Sequence, residues 1–273
     1  MKTEIFVNPL FSYLGDYVMQ IPEGFSSMGE SIHKGRNEVR AVSVNGLHLT
    51  VKYFKKITFA NRIIFATIRK SKAQRAYEHS RLLMRKGITT PEPVAYINCY
   101  RYGILYKSYY LCLYTSYKPL KQLLELPTIE SEKALKAFAR FTYRLHSVGI
   151  LHKDFTVSNV LYTQCGNDYD FSLIDNNRMR FRSYSYVRGV RNLARLKIPV
   201  EKMGIIAAEY AREAHESDIR TLNAMAFFRI RYMLKLSIRK WFKTLVGIVS
   251  SKHSMPTIVK ETQGLPIVET TKP

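Results

Sequence analysis

The segment from Thr128 to Asp175 constrains the fold more than any other part of the chain. A helical pattern runs from Thr128 to Val148, with Leu135, Phe138, Phe141, Thr142 and Leu145 on one side, and closes at Gly149. A polar loop follows, His152-Lys153-Asp154-Phe155-Thr156-Val157-Ser158-Asn159. Two short strand patterns come next, Val160-Leu161-Tyr162 and Phe171 to Ile174, with a turn at Cys165-Gly166-Asn167-Asp168. The second strand is an apolar run that stops on Asp175. The loop therefore begins just after a helix and ends just before a strand.

The first third reads differently. Residues 1–30 carry Gly and Pro and read as an irregular lead-in with at most one helical turn. Val39–Val44 and Leu47–Lys56 are strand patterns joined by Asn45-Gly46, the strongest short hairpin signal. Leu47, Leu49, Val51 and Tyr53 fall on one face of the second strand, and His48, Thr50, Lys52 and Phe54 on the other. Residues 59–86 read as helix with a stop at Gly87, and Val94–Ile97 and Ile104–Tyr114 read as strands. Tyr117-Lys118-Pro119 suits a hinge, and residues 187–197, 200–215 and 217–246 read as helices. This order predicts an α+β, bilobal architecture: a strand-rich N-lobe over 1–116, a mainly helical C-lobe over 117–250, and a flexible tail over 251–273.

Lys and Arg number 43 against 21 Asp and Glu, a net charge of +22. That balance favours polyanionic partners, namely nucleic acid, an anionic membrane or a phosphorylated substrate, although a generally basic surface gives the same count. Cys99, Cys112 and Cys165 are scattered, which excludes a disulfide framework or zinc site and fits a reducing compartment. No leader pattern is evident, and no apolar run approaches the ~20 residues of a membrane span. The expected location is cytoplasmic.

Five features can carry chemistry. Asp154 can accept the proton of a nucleophilic hydroxyl, and Asn159, five residues on, can bind magnesium, the two requirements of phosphoryl transfer. A turn in which the two merely cap the chain is the bland alternative. Asp175 at a strand end is placed to hold magnesium against nucleotide phosphates, although most aspartates there are turn residues. Lys52 on a strand after a hairpin suits the α- and β-phosphates, although strand lysines are often solvated. Glu78 can pair with Lys52 from the next helix, with Glu38 and Glu92 as rivals. Gly35, in a loop of Gly29 to Val39 that lacks a Gly-x-Gly-x-x-Gly sequence, can bring its amide to phosphate or simply turn the chain.

These residues resemble the protein-kinase-like superfamily and, more narrowly, the bacterial lipopolysaccharide core sugar kinases, the Kdo and heptose kinase family. The resemblance runs from about Gly29 to Leu196. It rests on Thr50-Val51-Lys52-Tyr53-Phe54, Arg69-Lys70-Ser71-Lys72-Ala73-Gln74-Arg75, Gly87-Ile88-Thr89-Thr90-Pro91-Glu92-Pro93 and Leu173-Ile174-Asp175-Asn176-Asn177-Arg178. It implies that Lys52 contacts ATP phosphates with Glu78 as its partner, that Asp154 is the catalytic carboxylate, and that Asn159 and Asp175 bind Mg2+. It further implies that the backbone of Leu113, Tyr114, Thr115 and Ser116 holds adenine. The implied reaction moves the ATP γ-phosphate to a Kdo or heptose hydroxyl of a lipid A–core glycolipid. The chain departs from protein kinases in Lys153 before the catalytic Asp, Thr156 two residues after it, and no Ala-Pro-Glu sequence after Asp175.

Arg178, Arg180, Arg182, Arg188, Arg191 and Arg195 follow Asp175 closely, and Arg229, Arg231, Lys235, Arg239, Lys240 and Lys243 lie among Phe227, Phe228, Tyr232 and Trp241. An arginine-rich mouth suits an anionic glycolipid, and a basic helix with aromatics suits the cytoplasmic face of an anionic inner membrane. A solvated helix face is the bland alternative. No nucleic-acid reader motif accompanies the charge, so no nucleic acid is expected. Another kinase of the same fold, or a non-catalytic pseudokinase binding membrane or RNA, are the competing functions.

Overall fold

Asn45 and Gly46 both take positive φ, 48° and 75°, which is what a tight turn between right-twisted strands requires. In the computed structural model they join β3 (Glu38–Val44) to β4 (Leu47–Tyr53) with Val44 opposite Leu47. The structure describes residues 2–55, 62, 64–65 and 69–252. The expected tail beyond Lys252 and part of the helix expected over 59–86 lie outside the described residues.

β3 and β4 belong to a six-stranded antiparallel sheet with β1 (Lys2–Val7), β2 (Glu30–Lys34), β5 (Pro93–Arg101) and β6 (Ile104–Leu113), in the order β1-β5-β6-β4-β3-β2. The alternation expected in β4 is present. Leu49 and Val51 are buried with Val94, Ile97 and Leu111 beneath α1 (Gly15–Gly24), which contributes Val18 and Ile21. On the opposite face Phe54 packs with Tyr96 and with Ala73 and Tyr77 of α2 (Lys72–Arg85).

The first 30 residues are more regular than the sequence predicts. β1 pairs with β5, Phe6 opposite Tyr96. Glu4 lies within β1, and its carboxylate accepts from Tyr96, Asn98 and Tyr100 at 3.0–3.3 Å. A paired carboxylate can sit in a sheet that an unpaired one would break. The helix expected over 59–86 is not continuous either. Ser71 starts α2 afresh, its side chain accepting from Gln74 N–H at 3.0 Å, the first half of a Ser-x-x-Gln capping pattern. Gly87, at φ 70°, ends α2 as expected.

After β7 (Lys118–Pro119) and α3 (Leu120–Glu125), α4 (Thr128–Ser147) forms the centre of the second core. Its Leu135, Phe138, Phe141 and Leu145 pack with Ile150, Phe155, Phe171, Leu173, Ile206 and Tyr210. Each large apolar side chain so buried contributes about 1.5–3 kcal/mol, which anchors the polar loop on both sides. β8 (Ile150–His152) pairs with β11 (Met179–Phe181), and β9 (Val160–Cys165) pairs with β10 (Asp168–Leu173) and β7. α5 (Tyr186–Leu193) and α6 (Val200–Glu213) complete this core.

The chain divides into two compact units, residues 1–229 and 230–273. α7 (Asp218–Lys252) begins in the first and ends in the second. Within the second unit Ile230, Leu234, Ile238 and Trp241 recur at helical spacing and are exposed.

Candidate functional site

Gly149 sets the geometry that delivers the loop. Its φ is 80°, and a Cβ there would lie 2.0 Å from the carbonyl oxygen of Arg182. Only glycine allows that approach, which lets Arg182 N–H donate to Gly149 O at 2.8 Å and aligns β11 beside β8.

His152 ends β8 fully buried and is bonded on every side. Its Nδ1 accepts from Asp154 N–H at 3.0 Å, so the proton sits on Nε2, which donates to Ile174 O at 3.2 Å. Burial holds its pKa below the ordinary histidine value, which keeps that neutral tautomer. Asn192 of α5 clamps its backbone, accepting from His152 N–H at 3.2 Å and donating to His152 O at 2.8 Å. Behind Asn192 stands buried His146 of α4, whose Nε2 lies 3.2 Å from Asn192 Oδ1 and whose Nδ1 lies 2.9 Å from Tyr210 Oη. Burial lowers the His146 pKa to about 4, so this imidazole too is neutral.

Asn159 closes the loop. Its Nδ2 donates to Asp154 O at 2.8 Å and its backbone carbonyl accepts from Ile174 N–H at 3.1 Å. The Asn159 side-chain oxygen remains as the ligand-capable atom. Asp175 follows in the left-handed region, φ 59° and ψ 42°, a conformation costing a non-glycine residue about 1 kcal/mol or more. Lys52 Nζ donates to Asp175 Oδ1 at 2.6 Å, and Asn177 Nδ2 donates to the same oxygen at 2.5 Å. Burial pushes the Asp175 carboxyl up, but the Lys52 charge and hydrogen bond, with His152 and Arg178 beyond, outweigh it and hold the pKa below the usual carboxylate range.

Lys52, Asp154, Asn159 and Asp175 are thus tied into one constellation from three separate segments: β4, the polar loop and the end of β10. Glu78 is not part of it. Its carboxylate accepts from Lys70 at 2.7 and 2.9 Å and from Gln74 at 3.2 Å, while Lys52 pairs with Asp175 instead. The expected Lys52–Glu78 pair is absent because a helix turns 100° per residue. The face of α2 toward the site carries Lys72, Arg75 and His79, whose Nδ1 lies 2.6 Å from Asn176 O. Glu78 is one position off that face. The rivals Glu38 and Glu92 bond Arg40 and Lys55, and Arg81, respectively.

Gly35 lies at the turn between β2 and β3, where its N–H donates to Asn37 O at 3.0 Å. Of the segment expected to hold adenine, Leu113 N–H donates to Glu92 O and Tyr114 N–H to His48 O, at 2.9 and 2.8 Å. Thr115 Oγ1 accepts from Tyr117 N–H at 3.3 Å.

Beside the constellation opens a cavity of about 930 Å³. Among the described residues ten cations line it, Arg36, Arg69, Lys72, Arg75, Lys153, Arg178, Arg180, Arg188, Arg191 and Arg195, and no carboxylate does. Burial, reinforced by Arg69 and Arg178, lowers Arg75 to about 10, and burial with Arg36, Arg178 and Arg75 lowers Lys72. Arg188 Nε is buried without a partner. Two basic stretches more than a hundred residues apart in the sequence, Arg69–Arg75 and Arg178–Arg195, converge here. Sequence reasoning missed Asn192 and His146; the signal was a polar side chain set in each otherwise apolar helix face.

Among the described residues no group of three or more His, Cys, Asp or Glu could hold a metal alone. The donor set of one carboxylate and one amide oxygen fits Mg2+, which binds through one or two carboxylates plus substrate phosphates.

A six-stranded antiparallel sheet flanked by α1 and α2, followed by a mainly helical second half that holds the polar loop between β8 and β9, is a kinase-like fold. Among solved structures, one described as WaaP in complex with acyl carrier protein superposes with a TM-score of 0.58 at 16% identity, covering 86% of this chain and 98% of that one. The profile of the lipopolysaccharide kinase (Kdo/WaaP) family matches residues 30–216. The chain belongs to that family and is a kinase, a phosphotransferase of lipopolysaccharide. Its kinase activity implies the use of ATP. No curated protein sequence matches the chain. No helix among the described residues is long and apolar enough to cross a membrane.

Proposed function

We propose that this protein transfers the γ-phosphate of ATP to a hydroxyl of an inner-core sugar, Kdo or heptose, on a lipid A-linked acceptor. The observation that carries this reading is the cavity with ten cations and no acid beside Asp154 and Asp175. A peptide groove has no need of such a field, whereas an acceptor bearing phosphates and carboxylates matches it.

In this reading Asp154 accepts the hydroxyl proton and Lys52 faces the nucleotide phosphates. Asn159 and Asp175 hold Mg2+, which supplies charge neutralisation between the phosphates. With the Leu113 and Tyr114 N–H groups already engaged, an N–H contact to adenine falls to Thr115 or Ser116. Gly35 turns the β2–β3 hairpin, and Arg36 carries its charge into the cavity. The second unit brings the enzyme to the cytoplasmic face of an anionic inner membrane. Residues 219–260 contain no Asp or Glu, and the exposed stripe of Ile230, Leu234, Ile238 and Trp241 has the composition of an interfacial helix.

The test is transfer of label from γ-labelled ATP to Kdo-bearing and heptose-bearing lipid A acceptors, with and without Mg2+, followed by mass spectrometry of the product. Label on one sugar, lost in Asp154→Asn and Asp175→Asn, supports the reading. Transfer to peptides with none to either glycolipid sinks it.

A further inference from the structure

In many protein kinases a lysine two residues after the catalytic Asp stands beside the transferred phosphate. Here that position is Thr156, whose Oγ1 bonds Ser158 Oγ at 3.0 Å. The loop carries no cation at that position, and a different segment supplies one. β11 pairs with β8 with Met179 opposite His152, so the register sets Arg178 beside Lys153. Arg178 O accepts from Lys153 N–H at 2.8 Å, and Arg178 Nη1 donates to Asp154 Oδ2 at 3.2 Å. The same guanidinium lines the basic cavity. It therefore stands between the base and the acceptor cavity.

We propose that Arg178 is a catalytic residue that supplies the missing cation, bridging Asp154 to the γ-phosphoryl group in place of the loop lysine. This rests on the kinase reading above. In the step, the acceptor hydroxyl oxygen forms a bond to the γ-phosphorus while the bond from that phosphorus to the β–γ bridging oxygen breaks. ADP leaves with the electron pair, and the hydroxyl proton passes to Asp154. Arg178 holds Asp154 Oδ2, which leaves Oδ1 for that proton. Its remaining N–H donors face the phosphoryl oxygens, where a fork of donors outperforms a point charge.

Three variants test this: Arg178→Met, Arg178→Lys, and Arg178→Met combined with Thr156→Lys. The readouts are kcat and KM for the acceptor, the affinities for ADP and for a non-hydrolysable ATP analogue, and the melting temperature. Arg178→Met is expected to lower kcat by roughly 100-fold with a smaller change in KM. Its preference for the ATP analogue over ADP is expected to fall by about tenfold, because only the analogue carries the γ-phosphoryl group. Arg178→Lys retains part of both effects. Adding Thr156→Lys restores at least about tenfold of the lost rate, which a purely structural role for Arg178 would not allow. A folded Arg178→Met protein that keeps the wild-type ratio of the two affinities overturns the inference whatever its rate. Wild-type protein that binds neither nucleotide overturns the kinase reading itself, and the inference with it.

Discussion

His152 Nε2 donates to the carbonyl of Ile174 at 3.2 Å, so one buried imidazole joins the loop carrying Asp154 to the strand end carrying Asp175. This bond needs a proton on Nε2, and Nδ1, which accepts from Asp154 N–H, requires the ring to be neutral. The same holds for His146, whose Nε2 serves Asn192 while its Nδ1 faces Tyr210. Burial depresses both pKa values, that of His146 to about 4. An unfolded chain takes up these protons near pH 6.5, whereas the folded chain takes them up at lower pH, for His146 at about 4. Between those values the unfolded state binds more protons, so stability falls as pH falls. His146 alone accounts for about 3 kcal/mol between pH 6.5 and pH 4. The melting temperature is expected to be flat above pH 7 and to drop steadily below 6.5. In His146→Gln the acid slope is shallower; an unchanged slope would remove His146 from this role.

Asn192 is the single side chain that bonds both backbone groups of His152 and the ring of His146. Replacing it with Ala strands buried donors and acceptors, each costing about 1–3 kcal/mol. Asn192→Ala is expected to unfold earlier by that order and to lose kcat more than nucleotide affinity, since the segment proposed to hold adenine lies elsewhere. Chemical denaturation and nucleotide titration of the same preparation separate the two effects. An equal loss of kcat and nucleotide affinity would count against a local role at the loop.

Much of this architecture is legible in the chain because local signals and burial agree. Asn45-Gly46 marks the hairpin, alternation in β4 sets which side Lys52 faces, and an apolar run ending on Asp175 delivers that carboxylate. What was hidden depends on contacts between distant segments. Glu4 sits in a strand within a segment read as an irregular lead-in, and is satisfied by three residues more than ninety positions away. Glu78 fits the expected spacing yet faces away, because a 100° turn separates neighbours on a helix and no local signal fixes the rotation of α2. The Asp154–Arg178 pair follows from the β8–β11 register, which two three-residue strands do not announce.

The placement of Glu78 separates two views of how Lys52 is held. If Asp175 is its partner, Glu78→Gln removes only an ion pair to Lys70 whose side chains are 58% and 36% exposed. Such pairs contribute about 0–1 kcal/mol. Transfer rate in Glu78→Gln is expected to stay within roughly threefold of wild type, whereas Lys52→Met loses roughly 100-fold or more. A comparable collapse in both would place Glu78 beside Lys52 in the working enzyme.

The cavity predicts a response to simple anions that needs no catalysis. Packing ten cations around one opening, with no carboxylate among the described lining residues, is repulsive; burial first, and the neighbouring arginines second, lower the pKa values of Arg75 and Lys72. An anion that enters is bound by the folded chain and not by the unfolded one, which raises stability by about 2.7 kcal/mol at a hundred times its dissociation constant. Pyrophosphate is expected to raise the melting temperature more than sulfate, and sulfate more than chloride at equal ionic strength, because general screening is then held fixed. Arg75→Met should melt higher than wild type in anion-free buffer, since one repelling charge is gone, and should gain less from pyrophosphate. Equal gains in both proteins would show that the anions act elsewhere on the surface.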